Sequence, residues 1–482
     1  MDIVIYILLG ILAALVLLIA FILIRAAAFK PHPVSNSEAD KIEFDAENAA
    51  ASLAALIKCK TVSYNDPSFE DDGEFKRLKA LLPELYPEVF RVCEYREFDG
   101  RGILFKWSGS EGGDPVVLMS HYDVVPVNEE QWSRNPFGGE IVDGVLWGRG
   151  TLDTKGTFNS VMFSVNKLIG DGFVPKRDIY LAFSGSEEVN GIGAPSIVDY
   201  FEREGITPAF VLDEGGAVVN KVFPGVDKPC ALIGIAEKGF INLELKVKSN
   251  GGHASAPKPH TPVGVLSRAC CKLEDHPFKR HLTPPVAKMF DALGRHSNLL
   301  YRVIFSNLWL FEPVLDIICK KSGGDINAMM RTTVAFTQME GSSAPNVLPP
   351  EARMVANMRL NPYDTIEGAV EYIKRTIDDD SIEVSVLQGN NPSRISETDT
   401  EGYSLIESAV KDTWGVEIVS PYLMVQCSDS RHWGRVSDRV YRFSTMDLTN
   451  EERATIHGND EHIRLDCLAR SVEFYLRLIR GC

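Results

Sequence analysis

Two cysteines separated by two residues occur nowhere in this chain of 482 residues, whose nine cysteines are scattered along its length. That excludes a zinc ribbon and offers no disulfide framework, so reduced thiols are expected. Positive charge is also short, with 50 lysines and arginines against 66 aspartates and glutamates and a formal charge of −16. Such a surface repels phosphate backbones, and nucleic acid is not expected as a partner. Internal repeats and low-complexity tracts are missing. With 45% apolar and 24% charged residues, fibrous and disordered classes are out, and the length allows about three folding units.

One segment lacks charge altogether. Ile3 to Ile24 is an uninterrupted apolar run, which at ~1.5 Å per residue crosses a ~30 Å hydrocarbon layer as a helix. Asp2 precedes it and Arg25 follows directly, without the basic n-region of a secretory signal. Residues 3–24 therefore read as an uncleaved transmembrane anchor, with a cleaved signal as the alternative that Ala26-Ala27-Ala28 leaves open. Arg25 and Lys30 on the C-terminal flank favour a single-pass membrane protein whose large part is cytoplasmic.

A proline-bearing linker is expected over 25–40. Beyond it, short apolar runs at Val116–Met119, Ile179–Phe183 and Phe210–Leu212 alternate with helical patterns at Gly156–Ile169 and Gly193–Phe201. That is the signature of an α/β layered domain built on a largely parallel sheet buried on both faces. From about Gly239 the texture changes to strands with one wet face. The order strand, helix, strand, strand, helix, strand predicts a βαββαβ two-layer sandwich over 239–388, inserted into a catalytic domain formed by 41–238 and 389–482. An apolar stretch over 284–325, with Leu299, Leu300, Trp309, Leu310 and Phe311, interrupts the sandwich. It reads as a helical elaboration with its own core, or as a partner or membrane contact.

Five short segments each put a metal-capable side chain just past an apolar strand or in a glycine-bearing loop. They are Ser-His121-Tyr-Asp123, Gly150-Thr-Leu-Asp153, Ser-Glu187-Glu188, Leu-Asp213-Glu214-Gly and Ile-His457-Gly. In α/β sheets ligands gather outside the carboxyl ends of strands, so residues distant in sequence converge there. Asp123, two residues after His121, has the spacing to accept the second ring N–H and fix its tautomer. The Glu187-Glu188 pair invites a division of labour between proton handling and metal binding. The glycine-rich turn before Asp153 lacks either phosphate-loop pattern and is not read as a nucleotide site. Two Zn²⁺, three carboxylates (Asp153, Glu188, Asp213) and one bridging hydroxide sum to zero charge, which permits burial.

In this order, SHYDVVP, GRGTLDTKG, SGSEEVNGIGA, VLDEGG and GGHASAP resemble the carboxypeptidase S and aminoacylase-type family of dinuclear zinc peptidases. That family also includes acetylornithine deacetylase and succinyl-diaminopimelate desuccinylase. The resemblance implies two Zn²⁺ per chain, replaceable by Co²⁺ or Mn²⁺, with His121 and Asp213 on one ion, Glu188 and His457 on the other, and Asp153 bridging. It implies Asp123 orienting His121, Glu187 as general base, a cis peptide at Asp153-Thr154, and the inserted sandwich as a lid. In the lid, His253 would meet the substrate carbonyl, while Asn346 and Arg359 would meet polar groups, Arg359 suiting a carboxylate. A homodimer through the lid is a further expectation. Where the family often has Gly-Thr-Asp, this chain has Gln426-Cys427-Ser428-Asp429-Ser430-Arg431-His432, which leaves the loop contacts to substrate open. The expected activity is hydrolysis of the amide bond of a small-molecule substrate, a short peptide or N-acyl amino acid with a free carboxylate. An N-fatty-acyl-amino-acid amidohydrolase is the alternative to a carboxypeptidase, and a silent binding protein is a third reading that the retention of Glu187 disfavours.

Overall fold

The computed structural model describes residues 2–31, 40–221 and 223–482. Helix α1 (Asp2–Ala28) continues past the apolar run, so the start of the expected linker is helical, and residues 32–39 lie outside the described part. The stretch Ile3–Ala28, with a mean hydropathy of 3.4 in its most apolar window, is long and apolar enough to cross a membrane as an anchor or to serve as a signal.

The chain re-enters through α2 (Ala46–Ile57), whose first turn is capped by the Asp45 carboxylate. It then builds β1 (Glu94–Phe98), β2 (Gly102–Trp107) and β3 (Val116–His121), followed by α3 (Lys155–Gly170) and β4 (Ile179–Ser184). Helix α4 (Gly193–Glu204), β5 (Phe210–Val219) and β6 (Cys230–Glu237) complete this run. After an excursion described below, α11 (Glu401–Trp414), β11 (Ile418–Met424), β12 (Val440–Asp447) and α12 (Leu465–Gly481) return to the same layers. The eight strands lie in the order β1-β2-β4-β3-β5-β12-β6-β11. The expected parallel pairing holds at the centre, where β4, β3, β5 and β12 run parallel. Antiparallel pairing of β1 with β2, β2 with β4 and β5 with β6 makes the sheet mixed.

Every residue of β3 and β4 is buried, which accounts for their unbroken apolar runs. Alternation assigns the two faces: Leu118, Leu181 and Phe183 join the core under α3 and α12. Val117, Met119, Tyr180 and Ala182 point into the core under α4.

The excursion runs β7 (Gly239–Lys248), α5 (Pro262–Asp275), four helices, β8 (Thr333–Glu340), β9 (Glu351–Leu360), α10 (Ile366–Ile377) and β10 (Ile382–Asn390). Its four strands form an antiparallel sheet in the order β8-β9-β7-β10. Ile241, Leu243 and Leu245 pack with Leu266, Ile373 and Ile377 of α5 and α10, and the alternate residues form the other face. The four interposed helices are α6 (Pro284–His296), α7 (Leu299–Ser306), α8 (Leu308–Ser322) and α9 (Gly324–Met330). They are helical as expected, but their core is not their own. Val286, Met289, Phe290 and Phe305 share one cluster with Val219, Cys230, Ile418 and Leu423 at the edge of the large sheet.

Candidate active site

Three neighbouring parallel strands deliver the cluster: β3 ends on His121, Glu187 and Glu188 follow the end of β4, and β5 carries Asp213 and Glu214 just past its last pair with β3, Leu118 opposite Leu212. Asp153 and His457 arrive on loops, and the Asp153-Thr154 peptide bond is cis. His121 Nε2 lies 2.9 Å from Asp153 Oδ1, and His457 Nε2 lies 2.9 Å from the other oxygen, Oδ2. One carboxylate thus offers an oxygen to each imidazole. Glu188 Oε2 is 3.2 Å from His457 Nε2, and Glu214 Oε1 is 3.6 Å from His121 Nε2. Metal-capable atoms of His121, Asp153 and Glu188 lie within 4.8 Å of one another, as do those of His121, Glu187 and Glu214.

Asp123 is fully buried and ties two segments together. Its carboxylate oxygens accept the backbone N–H groups of Glu187 at 3.1 Å and Glu188 at 3.2 Å. His121 Nδ1 sits 3.0 Å from its carbonyl and 3.3 Å from its Oδ1. The same side chain therefore orients the histidine and fixes the turn on which the two glutamates stand.

Asp213 stands beside the cluster, its charge acting on His121 and Glu214. Its Oδ2 accepts the backbone N–H of Ser430 at 2.9 Å, while its neighbour Glu214 faces His121. His253 lies on a ribbon formed by Gly252–His253 and Val347–Leu348, and Asn346 immediately precedes the second of these strands. Both are exposed there, the Asn346 carbonyl accepting from Ala254 N at 2.9 Å. Neither lines the cavity beside the cluster. Arg359 comes closer, its guanidinium donating to Cys427 Sγ at 3.4 Å, and Cys427 is part of the cavity wall.

That cavity has a volume of about 400 Å³; Asp153, Glu187, Glu188, Glu214 and His457 form one side. The rest of its lining is rich in apolar side chains, including Val219, Leu232, Tyr422, Met424 and Met446, with Arg453 as a basic member. Two further features were not evident from the sequence. Glu461 is buried, and its Oε1 accepts the N–H groups of Gly150 at 3.1 Å, Leu152 at 2.7 Å and Asp153 at 3.2 Å. Its other oxygen pairs with Arg149, which also donates to the Gly458 carbonyl at 2.7 Å. The pair thereby joins the Asp153 loop to the His457 loop. In the Gln426–His432 segment, Asp429 is buried, and Arg431 pairs with its carboxylate at 3.9 Å. Burial raises it to about 6, against the pull of Arg431.

Burial also lifts Glu187 well above the ordinary carboxylate range, with Asp429 and Glu188 adding to the effect against His121. Burial and then Asp153 raise Glu214 and Glu188. Asp153 goes the other way: desolvation opposes ionisation, but His121 and His457 hold it well below its usual range. Bonds to Asp153 and Glu188 push His457 up to about 10. For His121 desolvation disfavours the cation, yet Asp123 and Asp153 raise it well above its usual value. Divalent cations held among these groups would displace protons from them. The donor set fits such ions. It consists of imidazole nitrogens and carboxylate oxygens of the kind zinc, cobalt and manganese accept, and Glu188 keeps a buried oxygen, Oε1, without a partner.

The model of peptidase family M20/M25/M40 matches residues 117–481. The chain is 34% identical over 440 residues to a probable carboxypeptidase S-like protein of Dictyostelium discoideum, covering 90% of this chain and 84% of that one. It is 33% identical over 481 residues to an N-fatty-acyl-amino acid synthase/hydrolase of Xenopus tropicalis, covering 98% and 94%. Among solved structures, an M20 family metallo-carboxypeptidase from Sulfolobus solfataricus has the same fold, with a TM-score of 0.69 at 18% identity over 90% of this chain and 98% of that one.

Proposed function

Since the chain belongs to the M20/M25/M40 peptidase family and is a hydrolase, we propose that it cleaves the amide bond of N-acyl amino acids whose acyl group is long and apolar. The observation that carries this reading is the cavity, whose acidic end continues into an apolar wall of Val219, Leu232, Tyr422, Met424 and Met446. Similarity to the Xenopus N-fatty-acyl-amino acid synthase/hydrolase supports the same class. The similarity to a carboxypeptidase S-like protein keeps a short-peptide carboxypeptidase as the second reading.

In this proposal two divalent ions, zinc first, are held by His121, Asp153, Glu188, His457 and Glu214. Glu214 is placed on the ion of His121 because its Oε1 lies 3.6 Å from His121 Nε2, and Asp213, whose Oδ2 accepts from Ser430 N while its charge also acts on His121, is the alternative ligand there. When bound, the ions supply a water of lowered pKa and polarise the scissile carbonyl. Glu187 is the residue that would take up the proton of the attacking water and return it to the leaving amine. A carboxyl raised by burial is suited to both halves of this transfer. Asp123 keeps Glu187 and His121 in register through the bonds already described. The four-stranded sheet acts as the lid, bringing His253 and Asn346 to the substrate on closure, and Arg359 grips the free carboxylate. Helix α1 anchors the enzyme in a membrane, and two chains pair through the lid.

A panel of N-palmitoyl-phenylalanine, N-acetyl-phenylalanine and alanyl-phenylalanine, tested with the zinc-loaded full chain, checks the substrate class. Each buried methylene is worth ~0.8 kcal/mol, so two of them already give about tenfold, and the palmitoyl substrate should lead in kcat/KM by at least that. A preference for the dipeptide would overturn the acyl reading in favour of the carboxypeptidase.

A further inference from the structure

Helix α8 is apolar on both sides: Leu308, Leu315 and Cys319 pack inward against the shared cluster, yet large apolar side chains also face out. Trp309, Val314, Ile317 and Ile318 on its outer side are 56%, 52%, 56% and 56% exposed. Its buried side holds Asp316 and Cys319. Asp316 is kept inside by ion pairs with the fully buried Arg331 and with Arg280 at 3.4 Å. A surface helix of a soluble protein keeps its outer face polar, with the apolar stripe confined to the inner side. Helix α7 adds Leu299 and Leu300, 66% and 68% exposed. An exposed apolar surface of this kind marks a contact site rather than ordinary scatter.

The identity of the partner follows from what lies beside it. The C-terminal end of α1 is docked on this surface by specific bonds. The Arg25 guanidinium donates to the Ser306 carbonyl at 3.0 and 2.8 Å, Asn307 Nδ2 donates to the Ile22 carbonyl at 3.3 Å, and Phe21 meets the Trp309 ring edge-on at 6.5 Å. Phe29, just past α1, is buried with Phe290 and Phe305, and Arg295 donates to the Lys30 carbonyl at 3.2 Å. These contacts fix the direction in which α1 leaves the body of the protein. Phe21 precedes Arg25 by about one helical turn, ~6 Å along the axis, so Trp309 stands just inside the point where the span meets its first cation. Indole rings favour that depth at a bilayer surface.

We propose that α7 and α8 form a membrane seat: a lipid bilayer covers Leu299, Leu300, Trp309, Val314, Ile317 and Ile318, and the catalytic body rests on the membrane instead of hanging from a single helix. This rests on the reading of α1 as an anchor. The last turn of α8 carries Lys321, a cation suited to lipid phosphates, while Lys320 folds back on Asp316 at 3.2 Å. The seat also has a consequence for the substrate. Ala217, Leu232 and Tyr422 line the cavity and pack against the same cluster as Phe290 of α6 and Phe305 of the seat helix α7. The apolar wall of the cavity therefore abuts the membrane-facing side of the protein, where a long-chain acyl substrate is dissolved.

The test uses the full chain in phosphatidylcholine nanodiscs, with and without bromine on the acyl chains, read by tryptophan fluorescence. Trp309 is one of six tryptophans. The bromolipid should quench a minor component of the emission that disappears in Trp309→Phe, and Ile317→Asp combined with Ile318→Asp should reduce that quenching while α1 keeps the chain in the discs. Absence of quenching in the native chain overturns the seat, with no dependence on any variant folding. Efficient cross-linking of two chains through Ile317→Cys in the same discs, again without quenching, overturns it in favour of a second copy as the cover. Intact mass of the membrane-extracted protein separates the two premises. A chain that has lost residues 1–28 overturns both anchor and seat, whereas an intact chain without quenching overturns the seat alone.

Discussion

Replacing Glu214 and Asp213 by their amides distinguishes two adjacent carboxylates with opposite surroundings. Glu214 Oε1 lies 3.6 Å from His121 Nε2, within the space that the ligand set encloses. A unit charge acting on another at ~4 Å through an effective dielectric of ~20 contributes ~4 kcal/mol. At ~1.4 kcal/mol per decade that is ~10³-fold in binding constant. Glu214→Gln keeps an oxygen but loses the charge, so the affinity of one ion should fall by about that factor and leave one zinc per chain after dialysis. Asp213→Asn keeps an acceptor for Ser430 N, which lies 2.9 Å away. Its effect should be limited to ~1 kcal/mol of stability, with two zinc ions retained. Competitive titration against a chelator, with metal content by mass spectrometry, reads both outcomes. Two ions in Glu214→Gln and one in Asp213→Asn would refute the assignment and restore Asp213 as ligand.

Glu187→Gln should retain both ions while losing ~10²-fold or more in turnover; full turnover at unchanged zinc content would remove Glu187 from proton transfer. Glu461→Gln leaves Arg149 without its buried partner and should cost ~3–5 kcal/mol in urea unfolding, whereas a loss below ~1 kcal/mol would show that the Arg149–Glu461 pair does not tie the two loops. Lys238, buried and donating to the carbonyls of Ala328 at 2.6 Å and Arg331 at 2.8 Å, is pushed from 10.5 down to about 7, by burial first and Arg359 second. Between those values the unfolded chain binds the extra proton, so this residue's effect makes stability lowest below about pH 7 and lets it rise toward 10.5. Subtracting the unfolding free energies of Lys238→Met from those of the native chain at stepped pH should expose that slope, and a flat difference would contradict it.

The parts of the site that the sequence made legible are those tied to strand ends. His121 leaves β3, Glu187 and Glu188 follow β4, and a strand buried on both faces announces its end by the first polar residue after an apolar run. That same burial hides strand phase. Asp213 and Glu214 are consecutive on β5, and nothing in Val-Leu-Asp-Glu-Gly says which of the two points toward β3. The phase is set by pairing with β12, whose register with β5 shifts between Arg442 and Phe443. The Arg149–Glu461 bond was hidden for a different reason. Its partners are 312 residues apart, and each alone looks like an ordinary surface charge.

Helix α8 carries the argument furthest from the sequence. Its stretch, Leu-Trp-Leu-Phe-Glu-Pro-Val-Leu-Asp-Ile-Ile-Cys, is apolar on both sides, and a surface helix ordinarily turns its acids to water. Here Asp316 reaches a buried arginine from another part of the chain, and an acid paired inside costs far less than an unpaired one. Once the acid is held inward, rotation of the helix is fixed and Ile317 and Ile318 must face out. The sequence shows apolar residues on both sides, but only the position of Arg331 decides which of them meet the surroundings. A charge swap tests this directly. Asp316→Arg should expel α8 from its site and destabilise the fold, and pairing it with Arg331→Asp should recover part of the loss, since that ion pair is restored in reverse while Arg280 and Lys320 still meet a cation. If the double variant were as unstable as the sum of the single ones, the ion pair would not be what orients the helix.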